Sequence, residues 1–325
     1  MTHVNRAPRR ALSLVADHTL VVQVESRLAP LVERWLPRHL EEPPPRVTPR
    51  GTIEAVVAAR EAPRPAGAAS LALGSVQAWL PDESGPVQLH GLAAGSSGTV
   101  DLISHRATLW ADPAAAGSAA DLYSMLTVTS ALLLASLGRA LVHAAGVVAP
   151  EGGAWLLVGD ARAGKSTTCA NLVRVGWAYL SDDQVVLSSQ PSGVVVEGWL
   201  RPFHLDRTWV EGDEGEPVGD RWEVLPSALA PDGRRRSAPL AGLLFPSVHR
   251  DTPTQLAPLS PGEALAGLVR QSPWLFAWRA TAPAMLALLR QAAGAASYRL
   301  RLGADAYRDG DGLSARLAAL QGTVA

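Results

Sequence analysis

The chain has 325 residues, and its charge is almost balanced, with 29 lysines and arginines against 30 aspartates and glutamates. This length allows one large domain or two modest ones, each with a sizeable core. The balanced charge excludes a strongly basic protein, so we expect no binding to nucleic acid and none to a membrane surface. The single cysteine, Cys169, excludes an internal disulfide framework. We therefore expect a protein of the cytoplasm.

Residues 1–115 are predicted to form a smaller N-terminal α+β domain. Short apolar segments predict strands, and one segment has the helical spacing of apolar residues. Runs of proline and glycine separate these elements. The predicted strands are 19–24, 53–58, 76–80 and 99–103, and the predicted helix is 28–40.

The uncharged segment 122–138 predicts a long helix. It is shorter than the roughly 20 apolar residues that a helix needs to cross a bilayer, and serines and threonines interrupt it. We therefore expect a buried helix rather than a membrane span. This helix opens the predicted second domain, residues 116–325. The leucines that share one face of it are Leu122, Leu126, Leu133 and Leu137.

Strand and helix patterns alternate in the second domain, which is typical of an α/β fold. Residues 211–219 and 231–236 are predicted to be loops, the first of them mobile. The predicted strands are 141–148, 155–158, 177–181, 185–189, 194–199, 240–245 and 297–302. The predicted helices are 261–271, 281–293 and a short one at the end of the chain.

The only lysine of the chain lies in a segment with the pattern G-x-x-x-x-G-K-[ST]. A buried-strand pattern, Trp155–Val158, precedes the segment, and a helical pattern follows it. In this context the backbone N–H groups and the helix N-terminus bind phosphate, so the segment is interpreted as a P-loop. Lys165 is expected to bridge the β- and γ-phosphates of ATP, and the Ser166 hydroxyl is expected to bind Mg²⁺. The simpler alternative is a glycine-rich turn with an incidental Lys-Ser pair. The predicted nucleotide-binding residues are Gly159, Asp160, Ala161, Arg162, Ala163, Gly164, Lys165, Ser166 and Thr167.

An acidic pair, Asp182 and Asp183, follows the predicted P-loop and its helix. The next strand is expected to run parallel to the first and to bring the pair to the edge of the sheet where ligands bind. One carboxylate would hold Mg²⁺, and the other would accept a proton from an attacking hydroxyl. An ordinary turn at the end of a strand is the alternative. His143, on the strand before the loop, is either a packed core residue or part of the same site.

Together these segments resemble the catalytic domain of the HPr kinase/phosphorylase family. That family carries a histidine before the P-loop strand, then the P-loop, a helix, and a strand that ends in an Asp-Asp pair. The corresponding segments here are Leu141–Gly146, Gly159–Thr167 and Gly176–Asp183, in the same order and spacing. The resemblance implies a P-loop kinase domain of the HPr kinase and PEP carboxykinase type.

Two departures narrow this resemblance. The residues after His143 are Ala-Ala-Gly instead of a glycine-valine step, and the longer signature of bifunctional members is absent after the acidic pair. The chain therefore resembles divergent members, such as lasso-peptide-tailoring kinases, more than enzymes that act on HPr itself. By this resemblance Asp182 is the general base, Asp183 is the Mg²⁺ partner, and His143 faces the phosphates or supports the pair.

Phosphoryl transfer requires positive charge at the γ-phosphate, and arginine is expected to supply it where lysine is already used. Arg162 lies inside the loop, Arg201 follows a strand, and Arg235 lies in an arginine triplet at 234–236. Arg201 and Arg235 are the predicted catalytic arginines. The alternative for each of the three is a solvated surface position.

The sequence therefore predicts an ATP- and Mg²⁺-dependent kinase that phosphorylates a serine or similar hydroxyl of a peptide or protein, such as a ribosomally made peptide precursor. Two alternatives stay open: a kinase for a small molecule, and a nucleotide-binding regulatory module without transfer activity. The N-terminal domain is a candidate for acceptor recognition. A homo-oligomeric state also stays open.

Overall fold

The computed structural model describes residues 9–15, 17, 19–33, 48–58, 64–81, 85–199, 201–249, 251–308 and 310–321. The protein is a mixed α/β structure with large multi-stranded sheets, and it divides into two compact units. The first unit comprises Met1–Arg139 with Pro273–Met285, and the second comprises Ala140–Ser272 with Leu286–Ala325. The division therefore falls after Arg139, whereas the sequence predicts a boundary near residue 115.

An eight-stranded sheet forms the body of the first unit. β3 is parallel to its neighbours β2 and β8, and the other pairs are antiparallel. The strands are β1 (Arg9–Ser13), β2 (Leu20–Glu25), β3 (Gly51–Val57), β4 (Leu71–Leu73), β5 (Val76–Trp79), β6 (Val87–Gly91), β7 (Ser97–Asp101) and β8 (Arg106–Ala111), in the order β1-β2-β3-β8-β7-β6-β5-β4. The helix α1 (Ala29–Glu33) is the described part of the predicted helix 28–40, of which residues 34–40 lie outside the described residues.

The helix α2 (Ser118–Ser136) belongs to the first unit, because it packs on this sheet. By length and composition alone α2 could cross a membrane, but most of its residues are buried inside the protein. Leu122, Met125 and Leu133 have no exposed surface. The prediction of a buried helix is therefore confirmed. Because α2 packs on the sheet of the first unit, the division between the two units falls after this helix and not before it.

A second eight-stranded sheet forms the body of the second unit. Its path runs β10-β9-β12-β13-β17-β19-β18; β11 pairs with β9, and β10 also pairs with β17. A separate three-stranded sheet has the order β14-β16-β15. The strands of the unit are β9 (Arg139–Val148), β10 (Ala154–Val158), β11 (Ala178–Ser181), β12 (Gln184–Gln190), β13 (Gly193–Gly198), β14 (Phe203–Leu205), β15 (Gly215–Val218), β16 (Arg221–Val224), β17 (Ser237–Val248), β18 (Gln255–Pro258) and β19 (Ala296–Leu302).

Most predicted strands of this unit agree with the structure to within a few residues, but the predicted loop 211–219 does not. Residues 215–218 form β15, which pairs with β16 in the small sheet. The acidic and glycine-rich composition of this segment predicts a loop, whereas its strand depends on pairing with β16, which a local pattern does not show. The helices that run through or into the unit are α3 (Lys165–Arg174), α4 (Pro226–Leu229), α5 (Pro261–Arg270), α6 (Ala282–Ala293), α7 (Ala304–Arg308) and α8 (Gly310–Gln321).

The core of the second unit lies under α3. The rings of Trp155, Tyr179 and Phe203 are fully buried there, with the leucines of β10 and the apolar face of α3. Tyr179 and Phe203 meet edge to face at 4.9 Å between ring centroids. This packing holds β10, β11 and the small sheet against α3, and the polar residues at the ends of these elements form the candidate site.

Candidate active site

A glycine-rich loop, residues 159–164, connects β10 to α3. Two of its residues adopt positive φ angles, Arg162 at 66° and Gly164 at 99°. Gly164 is the N-cap of α3, and no side chain caps the helix. The first N–H groups of a helix lack partners inside the helix and carry partial positive charge, so this end of α3 suits an anion.

The Lys165 side chain folds back over the loop. Its Nζ atom donates hydrogen bonds to the carbonyl oxygens of Gly159, at 2.7 Å, and Asp160, at 3.0 Å. Lys165 is only 7% exposed. Burial lowers its pKa, and the charges of Asp183, Asp182 and Asp160 act in the opposite direction. The ammonium group is therefore held between the loop and the acidic pair.

The acidic pair occupies the short connection between β11 and β12. β10 and β11 are both antiparallel to β9, so they point the same way, with β9 between them. Val158, at the end of β10, is opposite Ala144, and Ser181, at the end of β11, is opposite Gly146. The expected parallel direction is confirmed, and the ends of both strands lie at one edge beside the start of β9.

Ser181 and Gly198 fix the backbone in front of the pair. The Ser181 Oγ atom lies 2.6 Å from the carbonyl oxygen of Gln184 and 2.7 Å from that of Trp199. A Cβ atom on Gly198 would lie 1.9 Å from the Leu180 carbonyl oxygen, so only glycine allows this approach of β13 to β11. The connection that carries the two aspartates is thus packed on both sides.

Asp182 is buried, with 5% exposure. Burial raises its pKa from 3.8 to about 6, partly offset by a hydrogen bond from the Ser166 hydroxyl. The backbone N–H of His204 donates to its Oδ2 atom at 3.4 Å. Its buried Oδ1 atom has no hydrogen-bond partner among the described residues. An unpartnered buried carboxylate oxygen is costly, and a bound cation or proton would remove that cost.

Asp183 is held by two basic side chains. The His143 Nε2 atom lies 3.1 Å from its Oδ1 atom, and the Arg201 guanidinium forms an ion pair with its Oδ2 atom. Asp183 keeps 32% of its side chain exposed, whereas Arg201 is buried. The structure therefore brings together Asp182, Asp183, His143 and Arg201 at the edge where sequence reasoning expected a site.

Gln271 extends this network to the loop, and sequence reasoning missed it. Its Oε1 atom lies 2.8 Å from Nδ1 of His143, and its Nε2 atom donates to the Asp160 carboxylate at 2.7 Å. The amide orientation follows from Asp160, because a carboxylate only accepts hydrogen bonds. Gln271 directly follows α5, more than a hundred residues after the loop, and no local pattern marks it.

The other predicted arginines lie in different surroundings. Arg162 is an exposed residue of the loop, and it lines the two cavities that adjoin the loop. Arg235 is also exposed; its backbone N–H donates to the Tyr179 carbonyl at 2.9 Å, and its guanidinium donates to the Arg234 carbonyl at 3.0 Å. The triplet therefore lies along β11. A catalytic role for Arg235 stays a prediction.

Oxygen donors for a cation gather at the N-terminal end of α3. The Ser166 hydroxyl and the unpartnered Oδ1 of Asp182 are of the type that Mg²⁺ prefers. Among the described residues, no group of three or more His, Cys, Asp or Glu side chains is arranged to hold a metal ion. Mg²⁺ at a nucleotide site typically uses one or two carboxylates together with substrate phosphates, so the donor set fits that ion.

Among the described residues, two cavities adjoin the loop, one at each end. The first has a volume of about 450 Å³ and is lined by Arg162, Gly164, Lys165, Ser166, Thr167, Asp206, Thr208, Trp209, Arg221, Val248 and Ala304. The second, of about 630 Å³, is lined by residues 158–163, the end of β17 and one side of α5. The first cavity meets the helix end of the loop, where the N–H groups of α3 point.

Comparison with known proteins leaves the family open. No family model and no curated protein matches the sequence. Among solved structures, a match is found to the HPr(Ser) kinase/phosphatase from Coxiella burnetii, with 12% identity over 56% of this chain and 97% of that chain. Its TM-score is 0.31, which does not establish a shared fold.

Proposed function

We propose that the second unit is a phosphotransferase that moves the γ-phosphate of ATP to a hydroxyl group. The observation that carries this proposal is the convergence of Lys165, Asp182, Asp183, His143 and Arg201 beside a glycine-rich loop that leads into α3. A loop of this form supplies N–H donors and a lysine for phosphate oxygens. The acidic pair adds groups that pure nucleotide binding does not require.

The positive groups are distributed to bind and polarise a triphosphate. Backbone N–H groups of residues 164–167 and the Lys165 ammonium would bind the β- and γ-phosphates. Arg201, paired with Asp183, brings its guanidinium to the side of the site where negative charge develops during transfer, and His143 lies beside it on the same carboxylate. Because these groups are held by the protein before substrate binds, little reorganisation is needed.

The contacts favour a division of roles within the acidic pair that reverses the order implied by the family resemblance. Asp182 accepts a hydrogen bond from the Ser166 hydroxyl, and its buried Oδ1 atom has no hydrogen-bond partner among the described residues. These two residues would therefore hold Mg²⁺. When bound there, Mg²⁺ neutralises phosphate charge. Asp183 is more exposed and oriented by two side chains, so it would accept the proton.

Phosphoryl transfer at this site exchanges one P–O bond for another. The acceptor oxygen forms a bond to the γ-phosphorus, and the bond from that phosphorus to the β,γ-bridging oxygen breaks. The acceptor hydroxyl gives its proton to the Asp183 carboxylate, and ADP and a phosphate ester leave. Geometry of this kind contributes mainly by positioning and charge stabilisation.

The proposed acceptor is a serine of a peptide or protein, with the N-terminal region 1–115 as the candidate recognition element. A small-molecule acceptor and a regulatory nucleotide-binding module are the alternatives that the experiment must separate. The acidic pair favours transfer over binding alone, because a binding module needs no proton acceptor. A cytoplasmic location belongs to the proposal as well, and the oligomeric state stays open.

Purified full-length protein with Mg²⁺ and γ-labelled ATP tests the proposal. The acceptors are a peptide encoded beside the gene, a serine-containing peptide library and free hydroxy compounds. We expect label on a peptide serine, lost in Asp183→Asn with ATP binding retained, whereas Asp182→Asn loses the Mg²⁺ dependence of ATP binding. Labelled small compounds without labelled peptide would favour the first alternative. ATP binding with no labelled acceptor of any class would favour the second.

A further inference from the structure

We propose that the 450 Å³ cavity at the helix end of the loop binds the nucleoside half of the triphosphate, with the Trp209 indole as the stacking face for the base. This inference rests on the proposed function, since it assigns the rest of the nucleotide whose phosphates the loop would bind. The cavity has the volume of a small-molecule site, for which about 300–1,000 Å³ is typical.

The position of the cavity connects it to the phosphate donors. Gly164, Lys165, Ser166 and Thr167 line it, and they are the residues that open α3. The second cavity is lined instead by residues 158–163, at the strand end of the loop. Of these two cavities, the first is therefore the one into which a nucleotide whose phosphates bind the N-terminus of α3 can continue without crossing the loop.

The lining of the first cavity suits a nucleoside. Trp209 supplies an aromatic surface, and Val248 and Ala304 add apolar area. Asp206 and Arg221 supply an acceptor and a donor, as ribose hydroxyls and a base edge require. Stacking on an aromatic side chain does not depend on which base is present, because every base has a π-face. We therefore expect other purine nucleoside triphosphates to bind as well.

The Trp209 backbone is anchored to the same helix that binds the phosphates. Arg174, in the last turn of α3, donates to the Trp209 carbonyl at 2.9 Å and to the Glu214 carboxylate at 2.7 Å. Asp206 caps the 3-10 turn 207–209 by accepting from the Thr208 N–H at 3.1 Å. A stacking residue held in place before binding loses little conformational freedom on binding. The first turn of α3 would therefore bind the phosphates, and its last turn holds the residue that would stack on the base.

Binding measurements with ATP and with inorganic tripolyphosphate test this assignment on the full-length chain. Trp209→Leu removes the aromatic face but keeps apolar volume, and Trp209→Phe restores an aromatic face. We expect Trp209→Leu to weaken ATP binding by roughly tenfold or more, from the usual strength of base stacking, and to leave tripolyphosphate binding within about twofold. Trp209→Phe should recover most of the loss. Lys165→Ala should weaken both ligands.

Trp222→Phe is the control, because Trp222 lies on β16 of the small sheet, where it stacks with Arg207 and does not line the cavity. Equal weakening of ATP and tripolyphosphate by Trp209→Leu would overturn the stacking assignment, and so would unchanged ATP binding. Failure of the wild-type protein to bind either ligand would instead overturn the proposed function. Thermal unfolding of each variant, measured beside the binding, separates a lost contact from a lost fold.

Discussion

His143 and Gln271 are joined twice, through the backbone and through the side chains. The His143 N–H donates to the Gln271 carbonyl at 3.0 Å, and the His143 Nδ1 atom lies 2.8 Å from the Gln271 Oε1 atom. Since the amide oxygen can only accept, Nδ1 carries a hydrogen and Nε2 faces Asp183. The residue that follows α5 therefore sets the orientation of a ring on β9.

Gln271→Leu should remove the side-chain contacts that connect the His143 ring to Asp160 in the loop. The change leaves Nδ1 of His143 without its partner, which typically lowers the unfolding free energy by about 1–3 kcal/mol. We expect phosphoryl transfer, or slow ATP hydrolysis, to fall by roughly tenfold, with ATP affinity within about threefold of wild type. Gln291→Leu is the control, because Gln291 is exposed on α6 and its side chain accepts a hydrogen bond from the Ser189 hydroxyl at 2.9 Å, away from the site. Equal effects of the two variants on kcat would contradict the positioning role.

Lys165→Arg should weaken the binding of ATP. Its ammonium fits between the Gly159 and Asp160 carbonyl oxygens in a buried position, and the larger planar guanidinium does not match that space. We expect a loss of ATP affinity of roughly tenfold or more, measured by calorimetry. Arg106→Lys, on an exposed position of the first unit, should change nothing. Wild-type ATP affinity in Lys165→Arg would show that the lysine does not bind phosphate.

Asp182→Asn should stabilise the ligand-free protein above pH 6. The folded pKa of about 6 lies above the ordinary value of 3.8, so between these values the folded state holds a proton that the unfolded state releases. The unfolding free energy of the wild type therefore falls as the pH rises through this window. Asparagine does not ionise, so the variant keeps the unfolding free energy that the wild type loses above pH 6, which is roughly 3 kcal/mol.

Urea unfolding at pH 3.5 and pH 8, without nucleotide or Mg²⁺, measures this difference. We expect the advantage of Asp182→Asn to be present at pH 8 and nearly absent at pH 3.5. An advantage of the same size at both pH values would mean that it has a cause other than ionisation. A cation bound at Asp182 should reduce the advantage, since it favours the ionised carboxylate.

Gly198→Ala should displace the end of β11. The added Cβ atom would meet the Leu180 carbonyl oxygen, two residues before Asp182. We expect a loss of roughly 1–3 kcal/mol in unfolding free energy and a larger relative loss of transfer. Gly262→Ala is the matched control, because no atom lies within 4 Å of its Cβ position and it lies in the first turn of α5. That variant should be neutral or slightly more stable. Transfer at wild-type level in a folded Gly198→Ala protein would rule out the proposed displacement.

The sequence predicted the local parts of the site well. The strand, loop and helix around Lys165, and the strand that ends before Asp182, are short-range patterns that a linear reading can detect. The structure has β10 at Ala154–Val158, α3 at Lys165–Arg174 and β11 at Ala178–Ser181. These elements agree with the predictions because apolar periodicity and glycine placement decide them within a few residues of chain.

The parts that were missed depend on contacts between distant residues. Gln271 reaches His143 across 128 positions, and Trp209 lies in the 3-10 turn 207–209, which Arg174 anchors from α3. The sequence places the predicted helix 122–138 in the second domain, because periodicity shows that a helix is apolar but not which sheet covers it. Pairing and docking of this kind leave no signal in a local pattern.

Cys169 gives the protein a built-in chemical reporter. Its thiol lies on α3 with no exposed surface, 3.6 Å from the Gly146 carbonyl oxygen, and burial raises its pKa well above the ordinary value. Because the chain contains no other cysteine, the alkylation rate of the intact protein follows a single atom. That rate reports how often α3 separates from β9, and a ligand that closes the loop on α3 should slow it.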